Sequence, residues 1–223
     1  MWCVGTLTEQ YRRRMYDLLA LYARPLSRLE PVVCSDEKST PLLAHSRVAL
    51  PMQPGRPARQ GYEYLRRGTC NLFVAVEPQA GRRTVQVTAR CAKPDFVRFA
   101  HHLIEVVYRF AHRVHLVMDN LNTHFRSCFE EVLGVRAAQR LLRRVEFHYT
   151  PKDSSWLNMA EIEIGVLTRQ CLDRRMPDLR TVTREVGAWQ KRRNADRRTI
   201  QWSFTRQDAD RKLRKHYVSQ LTC

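Results

Sequence analysis

Two acidic residues in this sequence each stand directly behind a short apolar run. Asp36 closes "PVVCSD" and Asp119 closes "VHLVMD". If the two runs are neighbouring strands, the carboxylates face each other. Unpaired carboxylates at that separation repel each other and lose hydration, a cost that a divalent cation would offset. The pattern therefore favours a cation site with Asp36 and Asp119 as ligands.

A simpler role remains open for Asp119. The segment that it begins, "DNLNTH", is rich in Asn and Thr, so Asp119 could instead cap the turn or helix that follows. His124 closes this segment and is either a ligand, a partner of a ligand or, more simply, a packed or capping histidine. Glycine patterns that bind nucleotide phosphates do not occur in the sequence, which argues against a nucleotide cofactor.

The chain carries a large excess of positive charge. Its 223 residues include 39 Lys and Arg against 22 Asp and Glu, giving a formal net charge of +17 and a pI near 10.2. Arginine-rich stretches such as "YRRRM", "LLRRV" and "QKRRN" recur along its length. A charge of this size favours a polyanionic partner, with nucleic acid as the first candidate, and a merely basic soluble protein is the alternative.

A proline-rich loop, "PMQPGRPARQG", contains Arg56 and Arg59, which are candidates for contact with phosphate. Lys152 and Arg169 are further candidates elsewhere in the chain. For Arg56 and Arg59 a solvated surface loop is the simpler explanation, because so many prolines are not accommodated in a packed element.

Cysteine usage and hydropathy indicate an intracellular protein. The seven cysteines are scattered and never form a C-x-x-C pair, as expected of small buried side chains in a reducing compartment. Apolar runs fall well short of the roughly 20 residues that span a bilayer, and "MWCVGTL" is too short for a signal peptide. We expect a cytoplasmic, nucleoid-associated protein without a membrane partner.

The first half of the chain predicts a helix, a strand and a hairpin. Residues 6–24 place apolar side chains on one helical face, with Thr6 and Glu9 as a capping box. The segment "PVVCSD" predicts a short strand that ends at its aspartate. Beyond the proline-rich loop, "YEYLRRGTCNLFVAVEP" and "RRTVQVTAR" predict an antiparallel pair that turns at Gly81.

The second half alternates helices with apolar strands. A helix begins at Pro94, the strand "RVHLVMD" follows, and a helix over roughly residues 125–143 has Gly134 as a break point. The strand "VEFHYTP" precedes a helix from Ser155, and two more helices follow. Helices between apolar strands favour right-handed crossovers, so we expect an α/β fold with a mixed sheet flanked by helices. Ligands of such sheets bind just outside the carboxyl ends of the strands, where both acids are expected.

Three blocks of the sequence resemble the catalytic blocks of the DDE-superfamily endonucleases, specifically bacterial insertion-sequence transposases related to the mariner group. The blocks are "VVCSDEKS", "MDNLNTH" and "FHYTPKDSSWLNMAEIEI", in the family's order. Further likeness in "PGRP", "LTRQCLDRR" and the Trp-rich end extends the resemblance over nearly the entire chain. It implies a ribonuclease-H-like fold and a catalytic triad of Asp36, Asp119 and Glu161, which would also be the metal ligands.

The chemistry of that family fits the charge and the acids of this chain. The resemblance implies two Mg²⁺ or Mn²⁺ ions and an in-line displacement at a DNA phosphodiester, without a covalent protein intermediate. It also implies double-stranded DNA as the partner and a homodimer that acts on DNA ends. A catalytically inactive DNA-binding remnant, or a structure-selective nuclease of the same fold, is the alternative.

We expect three regions along the chain: an N-terminal helix and linker at residues 1–30, a catalytic domain at 31–175, and a C-terminal helical extension at 176–223 packed on it. Transposases of this kind usually carry helix-turn-helix modules before the catalytic domain, whereas about 30 residues precede the first predicted strand here. The chain is therefore expected to be a catalytic fragment or a truncated gene product.

The helix around "NMAEIEIG" offers two acids for the third ligand position, Glu161 and Glu163. At about 100° per residue they point roughly 200° apart, so only one can face the strand ends. Each lies near a border of the helix's apolar stripe, so periodicity does not choose between them. The resemblance selects Glu161, because the family's acid follows "SWLN" by three residues. Asp153 is a weaker rival in the loop before the helix, where capping is its expected role.

Overall fold

The structure, a computed structural model, describes residues 7–48, 50–57, 59, 61–119 and 125–216. Its strands are β1 (Val32–His45), β2 (Tyr64–Glu77), β3 (Arg82–Thr88), β4 (Val114–Met118) and β5 (Val145–Tyr149). Its α-helices are α1 (Glu9–Tyr22), α2 (Lys93–His102), α3 (Phe125–Leu133), α4 (Val135–Arg143), α5 (Met159–Leu167), α6 (Leu179–Ala195) and α7 (Arg206–Leu213). Turns of π-helix extend α2 to Val107 and α5 to Leu172.

The strands form one mixed sheet in the order β3-β2-β1-β4-β5. β2 lies antiparallel to both β1 and β3, whereas β4 and β5 continue the sheet parallel to β1. Parallel strands cannot be joined by a tight turn, and helix α2 and the pair α3 and α4 supply the longer connections that lead into β4 and β5. The predicted α/β class with a mixed sheet is confirmed.

Helices cover both faces of the sheet. On one face, α2, α3 and α4 pack on side chains such as Phe73 and Leu116. On the other face, α1, α5 and α6 pack on alternate positions such as Leu72, Cys34 and Val117. Because successive side chains of a strand point to opposite faces, a strand covered on both sides is mostly apolar, as β4 is apart from His115.

Two glycines have the roles that the sequence predicts. Gly81 turns the chain between β2 and β3 with φ +64°, and a Cβ there would stand 2.6 Å from backbone atoms of Arg197. Both the left-handed backbone and the close approach of the second chain segment therefore require glycine. Gly134, with φ +78°, separates α3 from α4.

Two local predictions were wrong. Strand β1 does not end at Asp36, because pairing with β2 extends it well beyond that residue. The N-cap of α1 is Thr8, whose hydroxyl accepts a hydrogen bond from the amide of Tyr11 at 3.1 Å. The predicted cap, Thr6, lies outside the described residues.

The helices near both ends of the chain pack on the sheet. Met15 and Leu18 of α1 lie in the same apolar cluster as Cys34 and Val117 of the sheet, and α7 contributes Ala209 to that cluster. Helix α6 lies against β3 at the edge of the sheet. The division of the chain into three regions at the predicted boundaries stays a prediction.

Four of the cysteines that the structure describes are buried, namely Cys34, Cys70, Cys128 and Cys171, and Cys91 is exposed. The buried four act as small apolar side chains, as expected. A search of the described helices found none with the length and apolar character that a bilayer crossing requires.

Candidate metal centre

Strands β1 and β4 are parallel neighbours, which is the condition that a shared site for the two aspartates requires. Their register pairs Cys34 with Val117, and Asp36 and Asp119 each lie two residues further along, level with each other. Side chains two residues apart share a face of a sheet, so Asp36 projects, like Cys34, towards the layer of α1 and α5. β4 ends at Met118, so the two acids stand where the paired strands separate.

The carboxyl group of Asp36 lies under the influence of two other acids. Its Oδ1 accepts a hydrogen bond from the amide of Glu37 at 2.8 Å. Burial, followed by the charges of Glu161 and Asp119 and a hydrogen bond with Glu161, raises the pKa of Asp36 to about 7, although the Glu37 amide opposes the rise. The carboxyl groups of Asp119 and Glu161 thus lie near that of Asp36, and a bound cation would relieve the repulsion between them.

A threonine from the neighbouring strand orients Asp119. The buried Thr150 follows β5 and donates from Oγ1 to Oδ1 of Asp119 at 2.9 Å. Its amide donates to the carbonyl of Met118 at 3.1 Å, which holds the two strand ends together. The alternative role of Asp119 as a cap concerns residues 120–124, which lie outside the described residues, as does His124.

Asn158 places the first turn of α5 against β1. Its side chain is fully buried, and its Nδ2 donates to the carbonyl of Ser35 at 3.0 Å. Its Oδ1 accepts from the amide of Ala160 at 3.1 Å, so Asn158 is also the N-cap of α5. Glu161 lies in the first turn of this helix, exposed and beside Asp36. Asp153 does not cap the helix; it is exposed in the preceding turn with φ +59°.

Glu163 lies on the other side of α5 and is enclosed by arginines. Its carboxylate accepts from Nε of Arg83 at 2.7 Å and from Nη2 of Arg83 at 3.2 Å. Arg193 of α6 adds a second ion pair at 3.2 Å. The side chains of Glu163 and Arg83 are both fully buried. Glu163 therefore joins α5 to β3 and α6 and has no access to the aspartates.

The donor set at the strand ends suits a hard divalent cation, because carboxylates supply only oxygen ligands, as Mg²⁺ and Mn²⁺ prefer. The three acids are spread more widely than a compact cluster of ligands. Within the described ranges, the group of three whose donor atoms all lie within 4.8 Å of one another is His115, Glu146 and His148.

The four basic residues predicted to contact nucleic acid fall into two places. Lys152 is exposed in the turn that follows Thr150, and Arg169 is exposed about two helical turns beyond Glu161. Arg56 and Arg59 are exposed in the loop between β1 and β2. That loop begins after His45, about 30 Å along β1 from Asp36 at roughly 3.3 Å per residue. The loop that holds Arg56 and Arg59 therefore begins far from the acids, whereas Lys152 and Arg169 lie within nine residues of Glu161 along the chain.

Several residues that shape this site were not predicted from the sequence. Asn158 carried a signal, since an Asn directly before an apolar helical run is a typical N-cap. Thr150 and Arg83 carried none, because their contacts depend on which strands are neighbours. The same is true of His115, Glu146 and His148.

A five-stranded mixed sheet in this order, with acids where its central parallel strands separate, defines a ribonuclease-H-like α/β domain. The chain belongs to the DDE superfamily endonucleases, whose sequence profile matches residues 31–183. A comparison with curated proteins found no match.

Solved structures of the Mos1 mariner transposase share the fold. The chain is similar to the Mos1 mariner paired end complex with Mn, with a TM-score of 0.57 and 16% identity over 89% of this chain and 60% of that chain. For the paired end complex with Mg the TM-score is 0.57 and the identity 18%, over 98% of this chain and 66% of that chain. For the Mos1 Strand Transfer Complex the TM-score is 0.53 and the identity 18%, over 86% of this chain and 58% of that chain. The chain thus spans 58–66% of the length of these three transposase chains.

Proposed function

We propose that this chain is the metal-dependent DNA endonuclease and strand-transfer domain of a transposase, with Asp36, Asp119 and Glu161 as its catalytic metal ligands. The observation that carries the proposal is the convergence of these three acids, whose mutual repulsion contributes to raising the pKa of Asp36 to about 7. Membership of the DDE superfamily endonucleases supports it. So does the fold shared with Mos1 complexes that contain Mn or Mg.

When bound, two Mg²⁺ or Mn²⁺ ions supply activation of a water or a 3′-hydroxyl and stabilisation of the leaving oxygen during in-line displacement at phosphorus. Asp36, whose carboxyl group is under the influence of both other acids, would hold the ions together with Asp119 and Glu161.

The protein prepares this site before a metal binds. Thr150 fixes the direction of Asp119, and Asn158 fixes the first turn of α5 beside β1. The buried ion pairs of Glu163 set the rotation of α5 about its axis, which turns Glu161 to the opposite side. Ligands held in this way need little reorganisation when the metal and the substrate bind.

The proposed substrate is double-stranded DNA, bound through its phosphates. A net charge of +17 supplies a sequence-independent attraction, and the exposed Lys152 and Arg169, which lie before and after Glu161 along the chain, would contact phosphates near the acids. Arg56 and Arg59 would contact DNA at a distance from the acids. Action as a homodimer on paired transposon ends, and a location at the nucleoid, stay predictions.

Nicking of supercoiled plasmid DNA by the full chain in the presence of Mn²⁺ tests the proposal. We expect nicking that EDTA stops, that Asp119→Asn abolishes, and that the matched exposed control Asp196→Asn retains. Calorimetry should show Mn²⁺ binding by the wild type and its loss in Asp119→Asn. A wild-type chain that binds DNA but does not nick it with any divalent cation is an inactive remnant, and the proposal then fails.

A further inference from the structure

A second cluster of ligand-type side chains lies on the same face of the sheet as Asp36, away from the three acids. His115 of β4 pairs with Glu146 of β5, and His148 lies two residues beyond Glu146 on the same face. Nδ1 of His115 stands 3.0 Å from Nε2 of His148. Oxygens of Glu146 stand 3.6 Å from the first nitrogen and 3.7 Å from the second.

These separations match those between the ligands of a tetrahedral zinc ion. Zinc binds imidazole nitrogen and carboxylate oxygen at about 2.0–2.2 Å, which puts neighbouring ligand atoms about 3.3–3.5 Å apart. The separation of 3.0 Å between the two nitrogens lies just below that value, and the separations of 3.6 and 3.7 Å, each to a different oxygen of Glu146, lie just above it. With one atom taken from each residue, the three ligand atoms lie within 4.8 Å of one another. His115 is 3% exposed and His148 15%, whereas Glu146 is 44% exposed and opens the cluster to solvent.

The surroundings of His115 offer two arrangements. In the first arrangement, Nη1 of Arg24, 3.1 Å from Nε2 of His115, donates a hydrogen bond to that nitrogen. The proton of the neutral imidazole is then on Nδ1, which donates to Nε2 of His148. Glu30 Oε2 lies 4.0 Å from Nε2 of His115. When Nδ1 binds a metal, Nε2 carries the proton and donates to a carboxylate such as Glu30, an arrangement that metal-bound histidines commonly adopt. Arg24 is exposed and can turn away.

The charges around the cluster suit a divalent ion. Burial lowers the pKa of both histidines, which keeps them in the neutral form that binds metals. Glu146, Glu30 of the segment before β1 and Asp17 of α1 raise the pKa of one or both histidines, whereas Arg24 and Arg113 lower it. With neutral histidines these charged groups sum to −1, which a divalent cation would offset.

We propose that His115, Glu146 and His148 bind a Zn²⁺ ion, with a water in the fourth position. The site differs from the three acids in ligand type, since mixed nitrogen and oxygen ligands suit zinc and oxygen alone suits Mg²⁺ or Mn²⁺. His115 precedes Asp119 by four residues, about 13 Å along the strand. A zinc ion there would join β4 and β5.

Titration of the full chain with Zn²⁺ and with Co²⁺ tests this site. We expect one Zn²⁺ to bind, to raise the melting temperature, and to be displaced by a chelator. Co²⁺ should give the strong visible absorption of a tetrahedral complex, which an all-oxygen octahedral site does not give. Asp119→Asn should keep both signals, because it alters only the three-acid site.

Two substitutions and a control complete the test. His148→Gln and the partly exposed Glu146→Gln should each weaken Zn²⁺ binding at least about tenfold and remove the Co²⁺ absorption. His101→Gln, at an exposed histidine on α2, should leave both unchanged. Equal Zn²⁺ binding in folded Glu146→Gln and wild type, or a Co²⁺ complex without tetrahedral absorption, would overturn the proposal. If His148→Gln does not fold, Glu146→Gln decides.

Discussion

Helix α5 carries two glutamates, two positions apart, in opposite electrostatic surroundings. Glu163 is buried and paired with Arg83 and Arg193, so its charge is neutralised by the protein. Glu161 is exposed and lies beside Asp36, and its charge helps to raise the pKa of that carboxyl group. The same residue type on the same helix thus has a structural role at one position and is available for chemistry at the other.

The difference shows how a structural acid can be distinguished from a ligand. A buried carboxylate needs hydrogen bonds and an opposite charge, and Arg83 supplies both to Glu163. The acids at the strand ends repel one another, and repulsion of this kind costs stability. A bound cation would offset this repulsion between the carboxylates, which best explains why the acids lie together.

The largest expected effect is on catalysis. Glu161→Gln keeps the size of the side chain but removes a charged ligand, so we expect Mn²⁺-dependent nicking to fall on the order of 1,000-fold without loss of melting temperature. Initial rates on supercoiled plasmid measure the change. Glu130→Gln on the exposed surface of α3 is the matched control and should keep full activity. Normal nicking by Glu161→Gln would show that Glu161 is not the third ligand.

Glu163→Gln should act on stability instead of chemistry. It leaves two arginines beside a neutral amide, one of them fully buried, and loss of one partner from a buried ion pair costs about 3–5 kcal/mol. Urea unfolding should show this loss, while the fraction that remains folded nicks DNA at the wild-type rate. A stable Glu163→Gln that is catalytically dead would reverse the roles of the two glutamates.

The pH dependence of stability provides a smaller test. The pKa of Asp36 rises from 3.8 to about 7 on folding, so the folded state binds its proton more tightly. Without metal, this contribution to stability is complete below pH 3.8 and is lost as the pH rises to about 7. Because Asp36 is partly exposed and solvent screens its charge, we expect the free energy of unfolding to fall by on the order of 2 kcal/mol.

Unfolding in EDTA at pH 5 and pH 8 measures this loss as the difference between the wild type and Asp36→Asn. Other titrating groups, including His115 and His148, are common to both proteins and cancel in the comparison. Saturating Mn²⁺ should reverse the trend, because the cation binds the ionised carboxylate. An identical pH dependence in the two proteins would show that folding does not raise the pKa of Asp36.

The smallest effect concerns the cations near the acids. Arg83 and Arg193 serve Glu163, whereas exposed Lys152 is free to turn towards a DNA phosphate. Lys152→Ala should weaken duplex binding a few-fold and lower the slope of log affinity against log salt by about 1. Fluorescence anisotropy at several salt concentrations measures both. Lys191→Ala on α6, which lies against the edge strand β3, should have less effect. Equal effects of the two substitutions would indicate a diffuse electrostatic attraction alone.

The sequence alone determined the features that depend on neighbours along the chain. Apolar runs that end in an acid located β4 and Asp119, because a strand buried on both faces is continuously apolar. Gly81 and Gly134 marked a turn and a helix break, because glycine accepts positive φ. The three motif blocks identified the family and, with it, the fold. The excess of positive charge, visible in the composition, favoured a polyanionic partner.

The tertiary structure decided what depends on distant parts of the chain. Periodicity left Glu161 and Glu163 equivalent and the family resemblance alone favoured Glu161, whereas the packing of Glu163 of α5 against Arg83 and Arg193 gives the physical difference between them. The extension of β1 beyond Asp36 followed from its pairing with β2. The cluster of His115, Glu146 and His148 follows from the register of β4 and β5. Local sequence sets backbone preferences, whereas charge balance and metal geometry depend on which side chains the fold brings within a few ångströms.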